Sequence, residues 1–298
     1  PRPTLNGTFE AVTIDAALAG ANAVQLTSGQ WIDVDLAIDA AITSDRFTRR
    51  LDVSDGLTVD GRLGVETLES GFAEVRFTGP QIVDGVGVID LVAEGSGSQS
   101  VRFDGVDSSL REVLTFGSDL TVRGSGSLTT SRSEDRFELL GDVFGDGGAL
   151  TISNVANGGA TLSADSSESG SVRFNGVLED TALVAAAGAD VRITSGTVTN
   201  VSLAGSVAIN SATASGLTVL GEAQVVGSTV NSSPQLTIAL TEPVAGGGLT
   251  VDGLLAVQGT NQRAATLEID GGQTIGGAGE IRLDRAGAIG AEGVNNSL

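Results

Sequence analysis

Apolar residues recur at every second position through most of this chain, in short runs. Leu57 and Val59 flank Thr58, Leu63 and Val65 flank Gly64, Val75 and Phe77 flank Arg76, and Ile89 and Leu91 flank Asp90. A period of two belongs to an extended strand with one buried face, because successive side chains point to opposite sides. Gly, Asp or Asn closes most runs, so the pattern predicts short strands joined by tight corners. Two early stretches, Asp15–Val24 and Asp35–Leu51, are Ala-rich or mixed, and a helical turn is expected only there.

The pattern is written twice. Residues 56–95 and 248–287 align without a gap at an offset of 192, with 16 of 40 positions identical. Leu249, Val251, Leu255, Val257, Leu267, Ile269, Ile281 and Leu283 repeat the apolar positions, while Arg76 becomes Glu268 and Asp90 becomes Arg282. Retained aliphatics mark the inside, and reversed charges predict side chains that face water. Gly61, Gly79, Gly85, Gly87 and Gly95 recur as Gly253, Gly271, Gly277, Gly279 and Gly287, as corners needing positive φ or close backbone approach would require. Gln81 recurs as Gln273 beside such a corner, and its amide is expected to bond corner backbone.

Shorter echoes fill the remainder: VRFTG at 75–79, VRFDG at 101–105 and VRFNG at 172–176. Their spacings share no common divisor, which suits a coil whose turns differ in length. The expected fold is all-β, a parallel and right-handed β-helix or β-solenoid with irregular turns, because each short turn buries its apolar face only by stacking on the next. At roughly 20–25 residues per turn, about 12–15 turns would form a rod about 60–70 Å long. A tandem pair of antiparallel sandwiches is the competing arrangement. No linker divides the chain, so residues 1–298 are read as one solenoid domain. Pro1 in place of Met suggests a segment of something longer.

Composition alters this picture mainly by exclusion. There is no His, Cys, Met, Tyr or Lys, and all 16 basic residues are Arg. Ser-His-Asp and Cys-His arrangements, the usual zinc sites, Schiff bases and Walker loops therefore lack their reactive groups. A net charge of −21 repels phosphate, so neither nucleic acid nor an anionic membrane surface is expected as a partner. All nine Phe and Trp31 lie at or before residue 174, which predicts a core of Val, Ile, Leu and Ala, narrower inside, in the later part.

Carboxylates are the remaining chemistry. Asp33/Asp35, Asp52/Asp55, Asp104/Asp107 and Asp142/Asp146 are spaced as acid–base pairs for polysaccharide cleavage would be. Asp33 and Asp35 in WIDVDLAI would share one strand face. A solvated strand face has the same spacing, and no catalytic residue is assigned. Neither the calcium-binding nonapeptide repeat nor an EF-hand loop occurs, leaving Asp142 and Asp146 as weak ligands for a single Ca²⁺; no cofactor is otherwise expected. GGAGEI and GDGGAL lack the strand–turn–helix setting of a nucleotide loop. Sequons at Asn6, Asn200, Asn231 and Asn295 are read as incidental. An ice-binding face would need a regular Thr-x-Thr ladder, and only isolated cases such as Thr197–Thr199 stand out.

The pattern GLTVDG-x-L-x-V, followed by a V-x-F or L-x-I strand and by QTIGGAGEIRL, resembles the repeat units of large bacterial surface β-solenoid proteins. These include autotransporter passengers and filamentous-haemagglutinin-like adhesins. The resemblance implies export, a secreted or cell-surface location, and adhesive or structural work with a glycan or host-surface partner. It transfers no catalytic residue. The expected function is a non-catalytic extracellular segment that assembles end to end into a filament or layer. The alternative is a polysaccharide-binding or polysaccharide-cleaving β-helix using paired carboxylates.

Overall fold

The computed structural model describes residues 4–15, 23–226, 235–238, 248–259, 263–270, 275–284 and 287–292. Among them are 26 strands and no helix, and the strands pair in parallel. Asp35–Leu51 is extended, in the strands Ala23–Leu36, Asp39–Ser44 and Thr48–Val59; most of Asp15–Val24 lies outside the described residues. The fold is an all-β solenoid of about 11 turns. That is fewer than a uniform coil would give, because single turns run as long as the 33 residues from Asp90 to Arg123.

The chain forms two compact units, 1–155 with 167–171 and 156–166 with 172–298. In the first, registers fall into three columns. One joins Leu26↔Ile42, Ile42↔Val65 and Val65↔Leu91. A second runs Phe9↔Trp31, Trp31↔Val53, Val53↔Phe77 and Phe77↔Phe103. The third runs Leu36↔Val59, Leu57↔Val83, Val83↔Phe116 and Phe116↔Leu139. Three columns of inward side chains close on one interior, in which Trp31, Phe77, Phe103, Phe116 and Phe137 are at most 1% exposed. Phe116 meets Phe77 edge-on at 6.2 Å and Phe137 at 6.1 Å, giving aromatic contacts beyond simple area burial.

The second unit repeats the plan on turns that again differ in length, from 16 residues at Val191↔Val207 to 32 at Glu222↔Leu254. Val191↔Val207 and Val207↔Ala223 close turns of 16 residues, and Ala212, Ala214 and Ala223 take buried positions where the first unit uses larger side chains. Among the described residues after Phe174, the buried apolar positions are filled by Val, Ile, Leu and Ala.

Where both are described, the two long copies share corner hydrogen bonds. Gly87 N–H donates to the Val59 carbonyl at 2.7 Å, and Gly279 N–H to the Val251 carbonyl at 2.7 Å. The Asp60 carboxylate accepts from Val86 N–H, and Asp252, its equivalent, accepts from Ala278 N–H. Gln81 behaves as expected: its amide accepts from Gly56 N–H at 3.1 Å and donates to the Thr78 and Val53 carbonyls at 3.0 and 3.2 Å. Gln273 lies outside the described residues. The copies diverge at Leu283, which is 47% exposed where Leu91 is buried. The strand Glu280–Asp284 pairs with Leu254–Gln258, and no described strand covers its other edge.

Candidate functional site

The outward side chains of the first unit form turn-to-turn clamps. Asp90 Oδ2 accepts from Arg62 Nε at 2.6 Å and from Arg123 Nη2 at 3.1 Å, which come from strands on either side of its own. Charge reversal in the second copy had predicted a water-facing Asp90; the residue is instead 6% exposed, roofed by these two guanidiniums. Burial pushes the Asp90 carboxyl up, but the hydrogen bonds from Arg123 and then Arg62 outweigh it and hold the pKa below the ordinary 3.8. Asp104 shows the same balance: burial raises its pKa, while Arg102 at 2.7 Å and Arg76 lower it to a net depression.

A second clamp fixes the loop 105–111. Glu112 Oε2 accepts from Arg132 Nη2 at 3.2 Å and from Val106 N–H, while Oε1 takes Asp107 N–H at 3.2 Å. Asp135, fully buried, binds Arg132 through both oxygens at 2.9 Å and accepts Glu112 N–H through Oδ1. All four carboxylate oxygens are engaged, so the pair holds the loop and is not placed to act as free acid and base.

The sequence-read pairs are not brought together as catalytic dyads. Asp33 has φ of 52° and Asp55 of 62°; both occupy left-handed corners inside long strands, with a register slip between Ile32 and Val34. That bend separates Asp33 from the face carrying Asp35, which accepts from Thr13 Oγ1 at 3.4 Å. Asp52 pairs with Arg50 at 3.4 Å. Asp107 accepts Ser109 Oγ–H at 2.6 Å and Ser109 N–H at 2.8 Å, which lowers its pKa. Asp142 is exposed and its backbone carbonyl accepts Val122 N–H, whereas Asp146 lies in a groove with Asp90. Among the described residues no group of three or more His, Cys, Asp or Glu gathers as a metal site would. Asn6 accepts from Ser28 and Asn200 donates to Asp180 Oδ1; Asn231 and Asn295 lie outside the described residues. Thr197 stands in register with Thr213, and Thr199 with Ser215, so the hydroxyl pattern extends over two neighbouring strands.

The groove itself was not foreseen. It arises because three stacked corners differ in length. The chain takes nine residues from Leu91 to Ser100, three from Gly124 to Ser127 and six from Gly145 to Thr151, although these ends are in register. The middle corner is therefore recessed between two longer ones. Gly124 and Gly126 make the short corner: φ is 107° and 156°, and a Cβ on Gly124 would collide with the Leu91 carbonyl. The recess holds two adjoining cavities, of about 350 and 170 Å³, that share Ala93 and Ser125. Ser98, Gln99, Ser127 and Gly148 line the larger; Asp90, Asp146 and Gly147 line the smaller. Gln99 is pinned by Thr67 Oγ1 and by the Ser125 carbonyl, so the floor is fixed. The only sequence signal was the pair of glycine-rich stretches GSGS at 124–127 and GDGGAL at 145–150.

No family model, curated protein or solved structure matches this chain.

Proposed function

We propose that the chain is a non-catalytic structural or adhesive β-solenoid segment of an exported bacterial surface protein. The observation that carries this reading is the use of its buried carboxylates. Asp90, Asp104, Glu112 and Asp135 clamp neighbouring turns through arginine and backbone N–H groups, and the depressed pKa values of Asp90 and Asp104 suit permanent anions better than proton donors. End-to-end assembly belongs to the same reading, since a parallel turn offers another copy the same edge that it offers its own next turn.

The test combines two measurements. Purified protein incubated with a panel of plant, algal and bacterial polysaccharides is expected to release no reducing ends. Release that disappears in Asp33→Asn or Asp35→Asn would overturn the non-catalytic reading. Electron microscopy over a concentration series is expected to show particles lengthening with concentration; monomers alone at the highest concentration remove the assembly.

A second reading, polysaccharide binding without cleavage, is favoured by the recess at Gly124–Ser127, whose combined cavities have the size of a small-ligand site. It is compatible with an adhesive role.

A further inference from the structure

We infer that the recess over Gly124–Ser127 binds a neutral polyhydroxylated chain, a segment of uncharged glycan, with Asp90 and Asp146 as hydroxyl acceptors. The inference rests on the polysaccharide-binding reading and names its site and ligand class.

Three observations point to that chemistry. Asp90 is more than nine-tenths buried, and its Oδ2 takes both arginines, whereas its Oδ1 takes no hydrogen bond among the described residues. Because Arg62 and Arg123 already compensate its charge, what Asp90 has left to offer is an acceptor oxygen. An ionised carboxylate accepting sugar hydroxyls makes charge-assisted hydrogen bonds, stronger than neutral ones. Asp146 stands across the same cavity, near enough to Arg123 to add to the raising of its pKa, after the larger effect of Asp90.

The lining is polar in both senses. Ser98, Ser125 and Ser127 carry hydroxyls that donate and accept, as the vicinal hydroxyls of a sugar do. Gly147 exposes its peptide group, and nothing lies within 4 Å of where a Cβ of Gly147 would stand, so a pyranose ring can approach the backbone there. The net charge of −21 opposes an acidic glycan. No aromatic residue lines either cavity, so the stacking contribution is missing and affinity per site should be modest.

The second copy of the repeat replaces Asp90 by Arg282 and Ala93 by Arg285, so the duplicated stretch does not duplicate the acceptor.

The test is calorimetric titration of the full chain with neutral gluco-, manno- and galacto-hexasaccharides, a hexagalacturonate and spermine. At least one neutral hexasaccharide is expected to bind, with a dissociation constant of about 1 mM, in the weak range set by few hydrogen bonds. Asp146→Asn should weaken it about tenfold through loss of a charge-assisted bond. Ala93→Trp, on the exposed rim, should abolish it by filling both cavities, and Gln224→Trp, on the second unit, should leave it unchanged. Melting curves establish that each variant is folded. Binding of a neutral hexasaccharide that Ala93→Trp leaves intact would overturn this site while sparing the glycan-binding reading. Binding of spermine or hexagalacturonate alone, or no binding, would overturn both.

Discussion

Gly85 lies so close to the backbone of Val59, one turn before it, that a methyl group on Gly85 would collide with the Val59 carbonyl oxygen. Its φ is 109°, and Gly277, its equivalent in the second copy, has φ of 108° and the same relation to Val251. Gly85→Ala and Gly277→Ala are each expected to cost about 3 kcal/mol, combining left-handed strain with backbone displacement. Gly147→Ala, also left-handed but facing open space, should cost about 1 kcal/mol. Thermal unfolding of the three variants checks the ranking.

Acid should loosen the first unit through Asp90 and Asp104. Both have folded-state pKa values below 3.8, so their stabilising effect is fully present above that value and is lost as pH falls through the lowered folded values. Stability should therefore be flat from neutral pH to about 4 and then decline. Asp90→Asn, which cannot ionise, is expected to be less stable than the native chain at pH 7 and to lose less stability between pH 4 and 2. Denaturant midpoints measured across that range provide the comparison.

Removing Arg132 leaves Glu112 and the fully buried Asp135 without their cation. Arg132→Met is expected to destabilise the chain, because it leaves a buried carboxylate without its counter-charge. The loop 105–111 should loosen more than the fold does, and limited trypsin digestion would show this as faster cleavage after Arg111. Equal cleavage rates in native chain and variant would mean that the clamp does not hold the loop.

Gln81→Leu deletes one hydrogen bond from Gly56 N–H and leaves the carbonyls of Thr78 and Val53 without this donor. A loss of about 2 kcal/mol is expected from the unsatisfied buried groups. Gln81→Glu should be worse at pH 7, because it faces two carbonyls with a negative charge, and should recover as pH falls. Chemical denaturation at pH 7 and pH 4.5 distinguishes the two.

The interior was readable from the chain because burial alternates with position: Leu57, Val59, Leu63 and Val65 need no knowledge of their neighbours to be placed inside. Gln81 was readable for a different reason: an amide bonds whatever backbone surrounds a corner, so its role did not require knowing that Gly56 and Val53, 25 and 28 positions away, would join Thr78 as partners. Asp90 was not, since its partners stand 28 and 33 positions away and only the register reveals which outward residues meet. Asp33 misled because one left-handed residue shifts the alternation without altering the composition of WIDVDLAI. The groove depends on differences between three corner lengths, a quantity that exists only after the turns are stacked.

The unequal turns also set an order of events in folding. Each strand finds its partner one turn back, so closure entropy grows with the residues between them; the second unit has two successive 16-residue turns, Val191↔Val207 and Val207↔Ala223, where the turn of that length in the first unit, Ala23↔Asp39, is followed by one of 23 residues, Ala40↔Leu63. The second unit is expected to nucleate there, and turns spanning 33 residues, such as Asp90 to Arg123 in the first unit, to form late. Hydrogen exchange pulsed during refolding should protect Ile209 and Val225 before Val122 and Leu91. The aromatic core of the first unit would then stabilise what its longer loops make slow to assemble.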